Sequence, residues 1–315
     1  MREARTGLLF VVGALLVHLG LAAAYTQTIG PAHDASRMDA RWLHRESPVD
    51  VMIAGASHAR FGVEAEVLGP AVNVAVPGEH YGKSRFRVPW LLDRAGHGLE
   101  VVVLPFDAAS FSPFKATNYS PEYVWGRYVD FGVLAREQGD AVHWAGRALK
   151  AYAAPYVGEL RTVWQFATGT RHFRARQGIA LGLAQIEEPR QIAARHFGGS
   201  PETFDPRMVE ALRALISELR ERRVRVVLVR YPVAPAYRRA AARLGVRSDP
   251  RDALLAELLQ PGGVEHLDFT TVFDDRPGAF LDADHLGPRG RRAFSRLLRS
   301  ALVSDGVLPS RAPLP

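Results

Sequence analysis

The stretch V-M-I-A-G-A-S-H-A-R, residues 51–60, joins an apolar run to a glycine, and a serine and a histidine follow two residues later. Short β-branched runs of this kind are typical of strands buried on both faces of a parallel sheet. Ser57 then has two interpretations. It is either a nucleophile at the end of a strand or an ordinary helix cap.

Four further apolar runs follow this one, and patterns with helical spacing separate them. The predicted strands cover residues 51–54, 71–76, 100–104, 225–230 and 264–269. The predicted helices include residues 60–68, 81–94, 250–259 and two that begin at Pro206 and Pro288. Strands that alternate with helices predict an α/β fold, a three-layer α/β/α sandwich around a mainly parallel five-stranded sheet.

Residues 110–204 interrupt this alternation. They contain Trp125, Trp144 and Trp164 with many arginines, and no β-rich pattern. We expect a largely helical insertion here, with helices over residues 141–153 and 177–194.

The N-terminus predicts a membrane anchor. Residues 7–25 carry no charge, and Arg2 and Arg5 precede them. A run of this length crosses a bilayer as a helix, and the preceding positive charges place the N-terminus inside. We therefore expect a single-pass anchor at residues 1–25 in the cytoplasmic membrane, with the rest facing the periplasm or the cell exterior. A cleaved signal peptide, cut near Ala22–Ala24, is the alternative.

The remaining boundaries follow from composition. Residues 26–48 are mixed and polar and predict a linker, residues 49–303 predict the working domain, and residues 304–315, with three prolines, predict a flexible tail.

Composition excludes several kinds of site. The chain has no cysteine, so disulfides, thiolate metal sites and a cysteine nucleophile are excluded. The net charge is +7, but no lysine- and arginine-rich run with interleaved aromatics supports a nucleic-acid partner. His58 and His80 stand on separate loops without ligand spacing, so no metal and no cofactor are predicted.

Polar residues gather where the predicted strands end, the edge at which ligands bind in such sheets. These are Ser57 and His58, then Gly78 and His80, then Asp107, and finally Asp282, Asp284 and His285 before the last helix. A serine nucleophile needs a base, and the base needs a group that orients it. Asp282 and His285 lie three residues apart and suit these two roles, whereas Asp284 directly precedes the histidine and suits the second role less.

These blocks resemble the SGNH (GDSL-type) hydrolase superfamily. G-A-S-H-A-R-F-G resembles its first block, N-V-A-V-P-G its second, V-V-V-L-P-F-D-A-A-S-F its third and F-L-D-A-D-H-L-G-P-R-G its closing D-x-x-H block. The resemblance covers roughly residues 49–110 and 205–303. It implies a flavodoxin-like sandwich, Ser57 as nucleophile, His285 as base and Asp282 as its orienter. It also implies an oxyanion hole made by the backbone N–H groups of Ser57 and Gly78.

Two positions depart from the family pattern. Ala56 replaces the usual aspartate before the nucleophile, a residue that does not attack the substrate. Asp107 stands where the third block normally supplies an asparagine N–H to the oxyanion hole. A carboxyl group donates a hydrogen bond only when it is protonated. An ionised Asp107 would therefore remove one donor from the oxyanion hole, which argues against fast hydrolysis.

The expected function is that of an exported serine esterase or O-acyltransferase. The expected acyl group is acetyl, and it would first form an ester with Ser57. It would then pass to water or to a sugar hydroxyl of a cell-envelope or extracellular polysaccharide. The resemblance implies a membrane-bound O-acyltransferase as partner, and His58, His80 and Arg60 are candidate substrate-lining residues. Two alternatives remain: a non-catalytic glycan- or partner-binding protein on the same fold, and an α/β-hydrolase elbow at G-A-S-H-A.

Overall fold

The structure is a computed structural model of the 315-residue chain. It describes residues 2–95, 98–112, 188–198, 204–260 and 262–309, with short stretches between residues 125 and 168. Most of the predicted insertion, including the predicted helix at 141–153, lies outside the described residues.

Five parallel strands form the central sheet. They are β1 (Val51–Ile53), β2 (Ala71–Asn73), β3 (Val101–Pro105), β4 (Arg225–Arg230) and β5 (Val264–Asp268). Their order across the sheet is β2-β1-β3-β4-β5, and every neighbouring pair is parallel. The predicted α/β class with a mainly parallel sheet is confirmed. The chain changes direction across the sheet between β1 and β3, and such a switch point leaves a crevice at the carboxyl edge.

Ten α-helices are described. They are α1 (Arg2–Thr28), α2 (Asp34–Leu43), α3 (Ser57–Gly62), α4 (Ala65–Leu68), α5 (Tyr81–Ala95), α6 (Pro189–Phe197), α7 (Pro206–Glu221), α8 (Pro235–Arg243), α9 (Asp249–Leu259) and α10 (Pro288–Ser304). Short 3₁₀ turns cover Gly30–Ala32, Ala108–Phe111 and Pro277–Ala279. Helix α7 begins as expected, since the Asp205 carboxylate caps the N–H of Arg207.

The sheet is covered on two faces because strand residues alternate in direction. Val51, Val101 and Val227 share one buried cluster with Phe294 and Leu298 of α10. Helices α3 and α4 pack on the same helix. The intervening strand residues are also fully buried, and α5 packs on α7, which packs on β4. Two helical layers around one sheet give the three-layer sandwich.

Four local expectations differ from the structure. The predicted 26–48 linker contains α2, whose Trp42 is fully buried and donates its indole N–H to Leu91 O at 2.9 Å. In place of the predicted helix over 60–68 there are two short helices, α3 and α4. Helix α8 was not predicted from the sequence. The predicted tail begins later, because Val307 and Leu308 are buried and bond to Leu302 O. Residues 310–315 lie outside the described residues.

The chain divides into two compact units. One contains Met1–Arg37 and Tyr119–Ala180, and the other contains Met38–Asn118 and Leu181–Pro315. In the first unit, residues 3–28 of α1 are long and apolar enough to cross a membrane. His18 on this helix hydrogen-bonds to Tyr156 Oη at 2.7 Å. The second unit holds the sheet and every residue of the candidate site.

Gly55 determines how closely the ends of β1 and β3 approach each other. Its φ is +109°, and a Cβ built there would lie 2.4 Å from Cδ of Pro105. A side chain at this position therefore meets both backbone strain and a steric overlap. The absence of a Cβ brings the residues after β1 next to Asp107, which follows β3.

We expect Gly55→Ala to lower the free energy of unfolding by about 3 kcal/mol or more, because strain and overlap add. Gly245→Ala is the matched control, since Gly245 has φ +80° with no atom within 4 Å of a built Cβ. This variant should cost about 1 kcal/mol from strain alone. Urea unfolding of the full chain in detergent measures both. Equal losses would contradict the close approach.

Candidate functional site

Ser57 is the first residue of α3 and lies directly beyond β1. The buried side chain of Asn73, at the end of β2, donates to Ala59 O and Val63 O at 2.9 and 3.0 Å. Its carbonyl oxygen accepts the N–H of Ala75 at 3.1 Å. Asn73 thus fixes α3, and with it Ser57, to the carboxyl edge of the sheet.

A tight turn before α10 presents His285. Phe280 and Leu286 pair across this turn, and Leu281 N–H donates to His285 O at 2.9 Å. Asp282 Oδ1 accepts the backbone N–H groups of Asp284 and His285 at 3.0 and 2.8 Å. Its carboxylate also lies 3.0 Å from Nδ1 of the His285 ring. The predicted acid–histidine pair is therefore in contact, and Asp282 organises the turn as well as the ring.

The site is a chain of alternating carboxylates and imidazoles. His58 donates from Nδ1 to Asp107 Oδ2 at 2.7 Å, and its Nε2 lies 3.3 Å from Asp284 Oδ2. Asp284 Oδ1 lies 3.2 Å from His285 Nδ1, which Asp282 also contacts. The rings of His58 and His285 meet edge to face with centroids 5.5 Å apart. All five side chains are buried or nearly so.

This arrangement changes the charge states of its members. Burial disfavours a charged His285 ring, but the bonds to Asp282 and Asp284 outweigh burial and raise the pKa of His285 to about 9. Burial likewise opposes a charged His58, and Asp107 and Asp284 nevertheless raise its pKa. Burial would raise the pKa of Asp284, but the two histidines hold it far below its usual range. The network therefore holds a protonated His285 between carboxylates at neutral pH, and it shifts the pKa of His58 in the same direction.

Nε2 of His285 is the atom that a serine nucleophile would need. This nitrogen is buried and has no hydrogen-bond partner among the described residues. Ser57 is partly exposed, and no hydrogen bond joins its hydroxyl to His285 in the described part of the chain. Catalytic hydrogen bonds are often long in ligand-free enzymes and tighten with substrate.

Backbone donors for an oxyanion are present on two loops. Gly78 lies in an exposed turn in which Glu79 N–H bonds to Val76 O at 2.9 Å, and its φ is +77°. Ser57 N–H belongs to the first turn of α3, where backbone N–H groups have no partner within the helix. Asp107 does not extend this set. Its Oδ1 accepts Tyr231 N–H at 2.8 Å and its Oδ2 accepts from His58, so both oxygens act as acceptors.

A buried ion cluster holds the loop that carries Gly78. Arg87 of α5 is fully buried and donates to Glu79 Oε2 at 2.8 Å, Asp39 Oδ1 at 2.9 Å and Val74 O at 2.9 Å. Ser84 donates to the other oxygen of Glu79 at 2.7 Å. The turn after β2 is thereby tied to α5 and to α2.

The other predicted lining residues lie in different surroundings. His80 is buried in the loop after β2. Arg60 is half-buried on α3. Of the three predicted lining residues, only His58 is in the network, where it is bonded on both ring nitrogens.

His58, Asp284 and His285 are the described side chains placed closely enough to share a metal ion, with potential ligand atoms within 4.8 Å of one another. Imidazole nitrogen and carboxylate oxygen would suit a divalent cation such as zinc. Hydrogen bonds from His58 and His285 to carboxylates explain the same arrangement of side chains without a metal ion.

One member of the site, His196, was missed from the sequence, and another, Asp284, was ranked below Asp282. Asp284 contacts both histidines, although its adjacency to His285 argued against contact with that ring. His196 of α6 lies with Nε2 4.0 Å from Asp284 Oδ2, and its Nδ1 bonds to Tyr237 Oη at 2.7 Å. The D-A-D-H spacing was a usable signal for Asp284. His196 gave none, because it comes from a helix distant in sequence.

No protein-family model and no curated protein matches the chain. Among solved structures, a Streptococcus pneumonia protein described as a candidate platelet activating factor is 12% identical, with a TM-score of 0.44. The alignment covers 93% of this chain and 99% of that one. A likeness at this distance assigns no activity. The class of protein is defined by the chain's own residues: an α/β protein with a serine and a buried histidine–carboxylate network at the carboxyl edge of its sheet.

Proposed function

We propose that the protein is a serine esterase or O-acyltransferase of the SGNH type. The observation that carries this proposal is the contact of Asp282 with His285 Nδ1, which leaves a buried, unpartnered Nε2. Ser57 begins the neighbouring helix, whose next residue, His58, lies ring to ring with His285. Acid, base and candidate nucleophile thus come from two loops at one edge of the sheet.

In the proposed reaction, Ser57 Oγ attacks the carbonyl carbon of an acyl ester while Nε2 of His285 takes the hydroxyl proton. Asp282 holds the ring through Nδ1, which leaves Nε2 to act as the proton acceptor. The N–H groups of Ser57 and Gly78 stabilise the oxyanion. The leaving alcohol receives the proton from His285, and water or a sugar hydroxyl then releases the acyl group from Ser57.

The proposed substrate is an acylated, preferentially acetylated, polysaccharide of the cell envelope or the extracellular space. Helix α1 supports a location at the cytoplasmic membrane with the second unit facing outward, because Arg2 and Arg5 precede the apolar span. A membrane-bound O-acyltransferase is the proposed protein partner, which would supply acyl groups at the same membrane.

A second candidate function is a non-catalytic binding protein on the same fold. Two observations favour it: Ser57 makes no hydrogen bond to His285, and the raised pKa keeps His285 protonated at neutral pH. In that case the cationic His285 ring would hold a ligand rather than move a proton.

Covalent labelling separates the two candidates. We expect a fluorophosphonate probe to modify the full chain in detergent micelles, and peptide mass spectrometry to locate the modification on Ser57. An activated serine reacts with such probes, whereas a helix-capping serine does not. Labelling at another residue, or none across the pH range over which the protein stays folded, would favour the binding protein.

The pKa of His285 predicts an alkaline activity profile. The ring accepts a proton only when neutral, and with a pKa of about 9 only about one ring in a hundred is neutral at pH 7. We expect kcat/KM for nitrophenyl acetate to rise with pH up to about pH 9, after subtraction of the rate with Ser57→Ala. A plateau already reached at pH 7 would contradict this.

Asp284→Asn tests the cause of the raised pKa. Removing one of the two carboxylates should move the rising limb roughly one pH unit or more towards neutrality. Asp305→Asn is the control, because Asp305 is exposed at the end of α10. Its profile should match that of the wild-type protein.

A further inference from the structure

A cavity of about 170 Å³ adjoins the histidine–carboxylate network. His58 and Asp107 form part of its wall, and the 3₁₀ turn after β3, the end of β4 and helices α8 and α9 supply the rest. Its volume is comparable to that of engineered cavities that hold one benzene ring. The cavity therefore has room for one group of about the size of a sugar ring beside the proposed reaction centre.

The wall combines apolar surface with cationic groups. Val233, Tyr237 and Val246 supply apolar surface. Three arginines, Arg230, Arg238 and Arg251, also line the cavity. Three guanidinium groups around so small a space indicate a ligand with negative charge, unless each is neutralised by the protein.

Two of the three arginines are neutralised. Arg230 pairs with Asp252 and, at 3.2 Å, with Asp268. Arg238 donates to Asp274 Oδ2 at 2.5 Å and to the carbonyls of Val233 and Thr270 at 2.9 Å. Both are held by partners that belong to the fold.

Arg251 differs from them. Its guanidinium makes no hydrogen bond or ion pair with any residue in the described ranges, although the side chain is half-buried. Burial, together with the charge of Arg230, lowers the pKa of Arg251, and the charges of Asp107, Asp252 and Asp268 offset part of this without a direct contact. Asp107 itself is bonded to His58 and to Tyr231 N–H. An unpaired, partly desolvated guanidinium is unfavourable until an anion reaches it.

We infer that Arg251 binds a carboxylate or phosphate group of the substrate in this cavity, so the polymer acted on is acidic. This inference rests on the proposed function for the position of the ester, since the cavity adjoins the network that would activate Ser57. Guanidinium forms paired hydrogen bonds with both kinds of anion. The ester at Ser57 and the anion at Arg251 would belong to one polymer chain.

Ligand-observed NMR with the full chain in detergent micelles tests the inference without requiring turnover. The probes are glucose, glucuronate and glucose 6-phosphate. We expect one of the two anions to bind roughly tenfold or more tightly than glucose, since a charge-assisted hydrogen bond contributes at least that much. Arg251→Met should abolish the difference, and Arg251→Lys should retain part of it. The preferred anion identifies a carboxylate or a phosphate.

Arg296→Met is the matched control, because Arg296 is an exposed arginine on α10 and the chain carries a net charge of +7. It should bind the anions as the wild-type protein does. Equal binding of glucose and both anions would overturn the inference, as would unchanged anion binding by Arg251→Met with a wild-type melting temperature. Ser57 labelling is independent of this result, so a failed subsite and a failed serine mechanism are distinguishable.

Discussion

Ser57→Ala should reduce ester turnover by roughly 10⁴-fold or more, and only the acceleration from substrate binding and the oxyanion donors should remain. The hydroxyl is the only group in the proposed mechanism that forms a covalent bond to the acyl group. Turnover of nitrophenyl acetate by the full chain in detergent, measured near pH 9, gives the rate.

The matched control is Ser304→Ala, which removes an exposed hydroxyl at the end of α10. It should leave turnover unchanged. Ser57→Ala should also melt at the wild-type temperature, since the hydroxyl makes no hydrogen bond to His285 and removing it costs little stability. Turnover that survives in Ser57→Ala would reject Ser57 as nucleophile and leave the binding protein as the better candidate.

Arg87→Met should produce the largest loss of stability, about 3–5 kcal/mol. The substitution preserves the apolar stem but leaves the carboxylates of Asp39 and Glu79 buried without their cation. It also removes the donor to Val74 O. Since Glu79 belongs to the turn that carries Gly78, residual activity should fall together with stability. Thermal and urea unfolding of the full chain measure the stability.

A triple variant separates charge from packing. Arg87→Met combined with Asp39→Asn and Glu79→Gln removes the cation together with the two carboxylates that pair with it. It should lose less stability than Arg87→Met alone, because breaking a buried pair costs more than replacing it. A triple variant less stable than the single one would show that Arg87 acts mainly through its bond to Val74 O.

The sheet could be predicted from sequence because each strand is a short, buried, β-branched run. A strand covered on both faces is apolar throughout, so it can be recognised from its own residues without knowledge of its neighbours. All five predicted strands exist, with ends shifted by a few residues, as at 71–76 against Ala71–Asn73. The contact of Asp282 with His285 was likewise predictable, because a three-residue spacing on one turn places the two side chains together.

Burial of α2 was not predictable from its residues alone. Residues 26–48 look polar and suggested a linker, yet Asp39 and Trp42 are buried. Asp39 is buried because Arg87, far along the chain, neutralises it. A charged side chain can be buried when a partner of opposite charge lies beside it. The sequence of α2 does not show which residue that partner is, because the contact forms only in the tertiary structure.

The sequence by itself determined the α/β class, the parallel sheet, the apolar N-terminal helix and the residues that gather at the carboxyl edge. Only the tertiary structure decided what those residues do to one another. It placed Asp107 on His58 and Asp284 between two rings, and it left Arg251 beside the site without a partner among the described residues. Local patterns specify elements because their forces act between near neighbours. Charge states and pairings depend on groups far apart in sequence. His58 and Asp284, for example, are 226 residues apart and meet only in the folded chain.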